Sequence, residues 1–157
     1  MNKVQNKAFI IKLVKTAIVA FILAFLITRF ILPTKIIGDS MYPILRPNNY
    51  VLVNKKYKSL NIGDIVMFRY DVLNMHLVKR VIAIEGDVLQ IKDGEVFVNG
   101  DKLEEPYVKE KWYDGSYYGV IPRGCVYVMG DNRNGSIDSR YFGLIKVESI
   151  TGKILFK

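Results

Sequence analysis

Val88-Leu89-Gln90-Ile91-Lys92-Asp93-Gly94-Glu95-Val96-Phe97-Val98 holds two short apolar runs joined at an Asp-Gly pair. That pair accepts the positive φ angles of a two-residue turn, so the stretch reads as a β-hairpin. The pattern continues outward from it. Val51-Leu52-Val53, Ile65-Val66-Met67-Phe68 and Leu77 to Ile84 are rich in β-branched and apolar residues. Cys125 to Met129 reads as another strand ended by Gly130-Asp131, and Ile150 to Phe156 as the last one. Residues 104–124 are rich in Tyr, Lys and Glu, with Pro106 and Pro122, and read as a long loop. The spacing predicts one mostly-β domain of antiparallel sheets, a sandwich or an open barrel.

The N-terminal part is of a different kind. Thr16 to Thr28 carries no charge, and the run extends through Arg29 to Leu32. A helix rises ~1.5 Å per residue against a hydrocarbon core of ~30 Å, which puts this run at the short limit for a span. Stems of Lys12, Lys15 and Arg29 can lengthen it by lying along apolar surface. A cleaved signal peptide is disfavoured because Leu32-Pro33-Thr34-Lys35, with no small-residue site, follows. An amphipathic surface helix is disfavoured because every face is apolar. Pro33 stops the helix. The expected organisation is a basic cytoplasmic N-terminus over 1–15, a transmembrane anchor over 16–32 and an extracytoplasmic domain over 36–157.

Charge agrees with that arrangement. The net charge is +8, but residues 1–35 hold six basic and no acidic residues, while the remainder holds 17 basic and 15 acidic. The excess is local to the membrane segment, so a nucleic-acid partner is not expected and membrane lipid is. One Cys, Cys125, closes no intramolecular disulfide, and a lone Cys and a lone His far apart are poor metal ligands. Neither a metal nor a cofactor is expected.

Three segments carry candidate chemistry. Ser40 lies in Gly38-Asp39-Ser40-Met41-Tyr42-Pro43, close after the apolar run. It is either an ordinary turn residue or an exposed hydroxyl on a tight backbone whose N–H groups are free to hold an oxyanion. Lys79 lies in a strongly apolar strand, on the face of Leu77 and Val81, with Arg80 on the other. It is either a lysine whose amine reaches out to water or a desolvated amine, neutral near pH 7 and able to take a proton from a serine. Gly130 to Arg140 is dense in Asn, Asp, Ser and Arg. It is either a polar loop of Asx turns or a scaffold that orients a base, with Ser136 as its hydroxyl partner.

Taken together and in order, these segments resemble the type I signal peptidases, membrane-bound serine proteases that remove signal peptides from exported proteins. The shared pieces are the anchor; Gly-Asp-Ser-Met-Tyr-Pro with Leu45; Gly63-Asp64-Ile65-Val66-Met67-Phe68; Lys79-Arg80-Val81-Ile82 with Gly86-Asp87; and Gly130-Asp131-Asn132-Arg133 with Ser136, Asp138-Ser139-Arg140-Tyr141-Phe142-Gly143. The resemblance implies Ser40 as nucleophile and oxyanion donor, and Lys79 as general base. It implies Ser136 as the hydroxyl orienting the lysine, Asp138 with Arg140 as a supporting ion pair, and Arg80 and Asp131 as residues holding the strands around the site. It implies Met41 as a residue lining the substrate site. The implied partners are signal-peptide-bearing preproteins, with no obligate protein partner. One position departs: some relatives carry a serine two residues before the nucleophile, where this chain has Gly38. His76, three residues before Lys79, is expected on the opposite face and reads as structural. Two other functions compete: a soluble self-cleaving Ser-Lys protease of the repressor type, which the apolar segment opposes, and a catalytically silent anchored domain that binds exported chains.

Overall fold

The structure, a computed structural model, describes residues 3–113 and 115–155. Phe156, expected in the last strand, lies outside the described residues. Helix α1 covers Lys3–Phe30, and its Phe9–Phe30 stretch of 22 residues is long and apolar enough to cross a membrane. The helix begins earlier than the uncharged run suggests and ends two residues before its expected limit. Its end is dictated by Pro33, which has no N–H, would crowd the Arg29 carbonyl and pushes Leu32 out of the helical region. Ile31 and Leu32, expected inside the span, instead open strand β1 (Ile31–Lys35) with no linker.

The remaining strands are β2 (Tyr50–Asn54), β3 (Ile65–Tyr70), β4 (Met75–Ile84), β5 (Val88–Lys92), β6 (Glu95–Val98), β7 (Asp101–Lys102), β8 (Tyr117–Val120), β9 (Cys125–Met129), β10 (Ile145–Lys146) and β11 (Ile150–Leu155). A four-residue helix, α2, spans Ser139–Phe142. Two antiparallel sheets result. The first runs β1-β2-β11-β3-β4-β9-β10 and the second β7-β6-β5-β8. Pro33 is accommodated because β1 is the edge strand of its sheet. The expected hairpin is β5–β6, with Asp93 at φ 51° and Gly94 at φ 78° in its turn.

Alternation distributes side chains to both faces of the first sheet. On β3, Ile65 and Met67 join a cluster with Ile36, Met41, Leu45 and Val53. Val66 and Phe68 join the opposite cluster with Val81, Val126 and Val128. A third cluster bridges to the second sheet through Ile82, Leu89, Ile91, Tyr127 and Met129. Trp112 belongs to it, so the 104–124 excursion is tied into the core and contributes β8, where a loop was expected.

Register also sets the height of one lysine. Ile31 pairs with Asn54, Asn54 with Lys153, Lys153 with Val66, and Val66 with Lys79. Lys79 therefore lies in the same cross-strand row as the first residue after α1.

The turn that opens β6 is packed under Trp112: a Cβ on Gly94 would collide with the Trp112 carbonyl oxygen. With φ also positive, Gly94→Ala is expected to cost more than about 1 kcal/mol. Since Trp112 is the single tryptophan, its fluorescence in a urea titration reads both the loss of stability and any exposure of the ring.

Candidate active site

The Ser40 turn is built from the end of β1. Ile36 is held by Asn49, whose carbonyl accepts from the Ile36 N–H at 2.9 Å, and by the Asn48 N–H, which donates to the Ile36 carbonyl at 2.9 Å. Gly38 then reverses the chain at φ 85°. The Tyr42 N–H donates to Asp39 O at 2.8 Å, the Leu45 N–H to Met41 O at 2.8 Å, and buried Met41 and Leu45 fasten the turn to the core. Ser40 stands half-buried on it, its carbonyl accepting from the Asn132 N–H at 3.0 Å. The Gly38 position, where some relatives have a serine, opens onto free space. It supplies no hydroxyl.

Lys79 reaches this turn from β4. Its Nζ donates to Ser40 Oγ at 2.7 Å, and the side chain is only 3% exposed. Burial lowers the pKa of the amine from 10.5 to about 8. The negative charges of Asp138 and Asp131 pull it back up, and Arg140 pushes it down. Each of those carboxylates is already engaged by an arginine. Asp131 takes Arg80 Nε at 2.8 Å and Nη2 at 2.7 Å, while Arg80 Nη1 donates to Gly63 O at 2.7 Å. Asp138 takes Arg140 Nε at 2.8 Å and Nη2 at 2.9 Å, and also accepts from the Gly130 N–H at 2.9 Å.

Gly130 lies between the two halves of the site. A Cβ there would collide with Ser136 and with the Ser40 carbonyl. Ser136 is thus brought beside Ser40. The expected bond to the lysine is not formed: Ser136 Oγ is buried and has no hydrogen-bond partner among the described residues. Met41 lines a cavity of about 350 Å³ together with Ser40 and Lys79. One wall is Thr34–Gly38 and the other Met75–Lys79. His76 is exposed on that second wall, so it stands at the rim of the cavity and not in the core.

The wall formed by β4 is also a free sheet edge. Val81 exchanges backbone bonds with Gly63 and Asp64, at 2.8 Å each, on the β3 side. By alternation the N–H and C=O groups of His76 and Val78 point the other way. There the neighbouring strand β9 has already ended, its Met129 opposite Arg80.

Several supporting residues were given no role by the sequence. Arg133 is buried, donates from Nε to Gly130 O at 3.0 Å and pairs with Glu105. Its guanidinium lies 5.0 Å from the Trp112 ring centroid, and that of Arg140 lies 5.1 Å from it. Arg80 sits 4.0 Å from the Tyr107 ring centroid. Glu105, Tyr107 and Trp112 lie in the aperiodic 104–124 stretch, where nothing local marks a residue as facing a site.

A buried amine touching a serine hydroxyl, beside an open strand edge and a small apolar cavity, fits a hydrolase of extended polypeptide that works without histidine. Comparison with known proteins agrees. The family model described as signal peptidase, peptidase S26, matches residues 10–157, and the chain belongs to that family. It is similar to signal peptidase I of Bacillus caldolyticus, at 36% identity over 164 residues, covering 92% of this chain and 86% of the relative. It is similar to signal peptidase IB of Staphylococcus aureus (strain Mu50 / ATCC 700699), at 38% identity, covering 88% and 84%. The crystal structure of a signal peptidase I from Enterococcus faecalis V583 matches with a TM-score of 0.56 and 28% identity, covering 64% of this chain and all of that one.

Removing one member of a buried ion pair leaves a charge without a partner, at a cost of about 3–5 kcal/mol. Asp138→Ala does this to Arg140 and also strips the Gly130 N–H of its acceptor. It is expected to lose stability on that scale, measured by urea unfolding, whereas Asp71→Ala, in an exposed pair, loses less than about 1 kcal/mol.

Proposed function

We propose that this chain is a membrane-anchored serine endopeptidase that cuts signal peptides from exported preproteins. The observation that carries the reading is the 2.7 Å contact between Ser40 Oγ and the buried Lys79 amine. In this reading α1 spans the membrane with its lysine-bearing N-terminus in the cytoplasm, and residues 36–157 form the catalytic domain outside. The relatives' printed names support the substrate class.

An extended substrate segment adds as a strand along the His76–Val78 edge, where backbone groups supply affinity and the Met41 cavity admits small side chains. Neutral Lys79 takes the Ser40 proton as Oγ attacks the scissile carbonyl, and the oxyanion is met by the Ser40 N–H. The ammonium then returns the proton to the leaving amine, releasing the mature protein. The amine next takes a proton from water, which attacks the acyl-enzyme; the signal peptide leaves with its new carboxyl group and the ammonium returns the proton to Ser40 Oγ. Asp138–Arg140 and Arg80–Asp131 hold the 130–140 segment and β4 at this separation. Ser136, whose hydroxyl has no partner among the described residues, orients the amine once Lys79 moves during turnover.

Two measurements test this. Ser40→Ala and Lys79→Ala, assayed in lipid on a preprotein, are expected to lose on the order of 10³-fold activity or more while keeping the wild-type circular dichroism. Retention of near-full activity by Lys79→Ala refutes the dyad. For the wild type, kcat/KM is expected to rise with pH and level off above about 8, the pKa of the amine that must be unprotonated to act. The same displacement makes the fold more stable as pH rises from about 8 to 10.5, because only the unfolded chain holds that proton in the window.

A further inference from the structure

Asn132 touches the turn of Ser40 twice. Its N–H donates to Ser40 O at 3.0 Å, and its Nδ2 donates to Asp39 O at 3.4 Å. Asp39 O also accepts from the Tyr42 N–H at 2.8 Å. The two peptide groups that flank the Ser40 Cα are thereby both fastened, and one residue holds an end of each. The amide of Asn132 is itself fixed. The Gly135 N–H donates to Asn132 Oδ1 at 3.2 Å, which leaves Nδ2 as the end that faces the turn. Glycine at 135 makes room for this amide, since a Cβ there would stand 2.6 Å from Nδ2.

A trans peptide is planar and carries its C=O and N–H on opposite sides. The Asp39–Ser40 bond is trans, so the two donors on Asp39 O aim the Ser40 N–H the other way. That N–H has no acceptor among the described residues. The cavity beside the dyad is lined by Gly38, Ser40 and Met41, and not by Asn132. The Ser40 N–H is thus turned from Asn132 and left for a reacting carbonyl. The need for such a hold comes from Gly38. With φ 85° and nothing within 4 Å of where a Cβ would stand, it offers no hydroxyl to an oxyanion and lets the chain rotate just before Asp39. The direction of the Ser40 N–H must then be set from outside the turn.

We infer that Asn132 is a positioning residue for catalysis: its side-chain amide holds the Asp39–Ser40 peptide so that the Ser40 N–H points at the oxyanion. This deepens the reading of Ser40 as nucleophile and rests on it. Asn132 acts through Asp39 O and touches no reacting atom. At 3.4 Å the bond is long, as catalytic hydrogen bonds often are without substrate. Donation from the Ser40 N–H to a developing negative charge makes Asp39 O a better acceptor. The Nδ2 bond therefore strengthens more in the transition state than in the ground state, which raises kcat and leaves substrate binding alone. The amide is uncharged, and Asn132 is not among the groups that set the proton affinity of Lys79.

The test compares Asn132→Ala and Gly135→Ala with the wild type, each as the full chain in lipid. Asn132→Ala deletes the Nδ2 donor and keeps the backbone N–H on Ser40 O. Gly135→Ala keeps the donor and pushes it aside. Both are expected to lower kcat on a preprotein about tenfold, less than the roughly 10²–10³-fold cost of deleting an oxyanion donor outright. KM is expected to stay, and the pH midpoint to remain at about 8. A peptide aldehyde adds Ser40 Oγ to its carbonyl, and the hemiacetal oxygen takes the place of the oxyanion. Its affinity is expected to fall by the same factor as kcat/KM. The matching peptide alcohol forms no such bond and is expected to bind both variants as it binds the wild type, which shows the site intact. Full activity in Asn132→Ala overturns the positioning role and leaves the dyad standing. A moved pH midpoint also overturns it, assigning Asn132 to Lys79. Equal weakening of aldehyde and alcohol overturns it too, assigning Asn132 to substrate binding or to folding. An aldehyde that binds Ser40→Ala as tightly as the wild type refutes Ser40 as nucleophile, and the inference with it.

Discussion

An amine removed from water normally seeks a carboxylate, and two buried ones, Asp131 and Asp138, lie close enough to raise the affinity of Lys79 for its proton. Arginines keep them from it. A guanidinium is planar and grips both oxygens of a carboxylate at once, which an ammonium cannot do. With Arg80 on Asp131 and Arg140 on Asp138, each acid is held in a forked pair, and Lys79 forms no ion pair among the described residues. Its remaining contact is the serine. Burial holds the proton affinity of that amine down, and Arg140 adds to the effect.

The two sheets divide the labour. The first carries Lys79 and Arg80 on adjacent, oppositely directed positions of β4, so one strand supplies both the amine and the clamp on Asp131. The second sheet touches no reacting atom. It packs Trp112 against Arg133 and Arg140, and so presses the 130–140 segment towards the Ser40 turn. Gly130 is the meeting point, bonded through its N–H to Asp138 and through its carbonyl to Arg133.

Local chemistry made much of this legible in the sequence. The Asp93-Gly94 turn, the β-branched runs of β3 and β4, and the ordered motifs around Ser40, Lys79 and Ser136 all declare themselves over a few residues. What escaped detection depends on distant partners. β1 was hidden because Ile31 and Leu32 continue an apolar run that reads as membrane, and only pairing with β2 makes them a strand. β8 was hidden because Tyr117 to Val120 becomes a strand by lying against β5. Glu105 and Trp112 matter only because Arg133 and Arg140 come to them from elsewhere in the chain. Ser136 was expected to bond to the lysine, but its hydroxyl direction depends on a rotamer that no motif encodes.

Phe30 is helical and Ile31 is already paired in the sheet, so no slack separates the anchor from the fold. With α1 in a bilayer, as proposed, the Lys79 amine cannot swing outward on a tether. Its elevation is fixed by the helix, and a change in hydrocarbon thickness that tilts the helix must tip the whole sheet with it. Such an enzyme measures its substrates as a ruler does. In the proposed reading, a bond is reached when it lies a set number of residues from the point where its own chain leaves the lipid and when the side chains before it are small enough for the Met41 cavity.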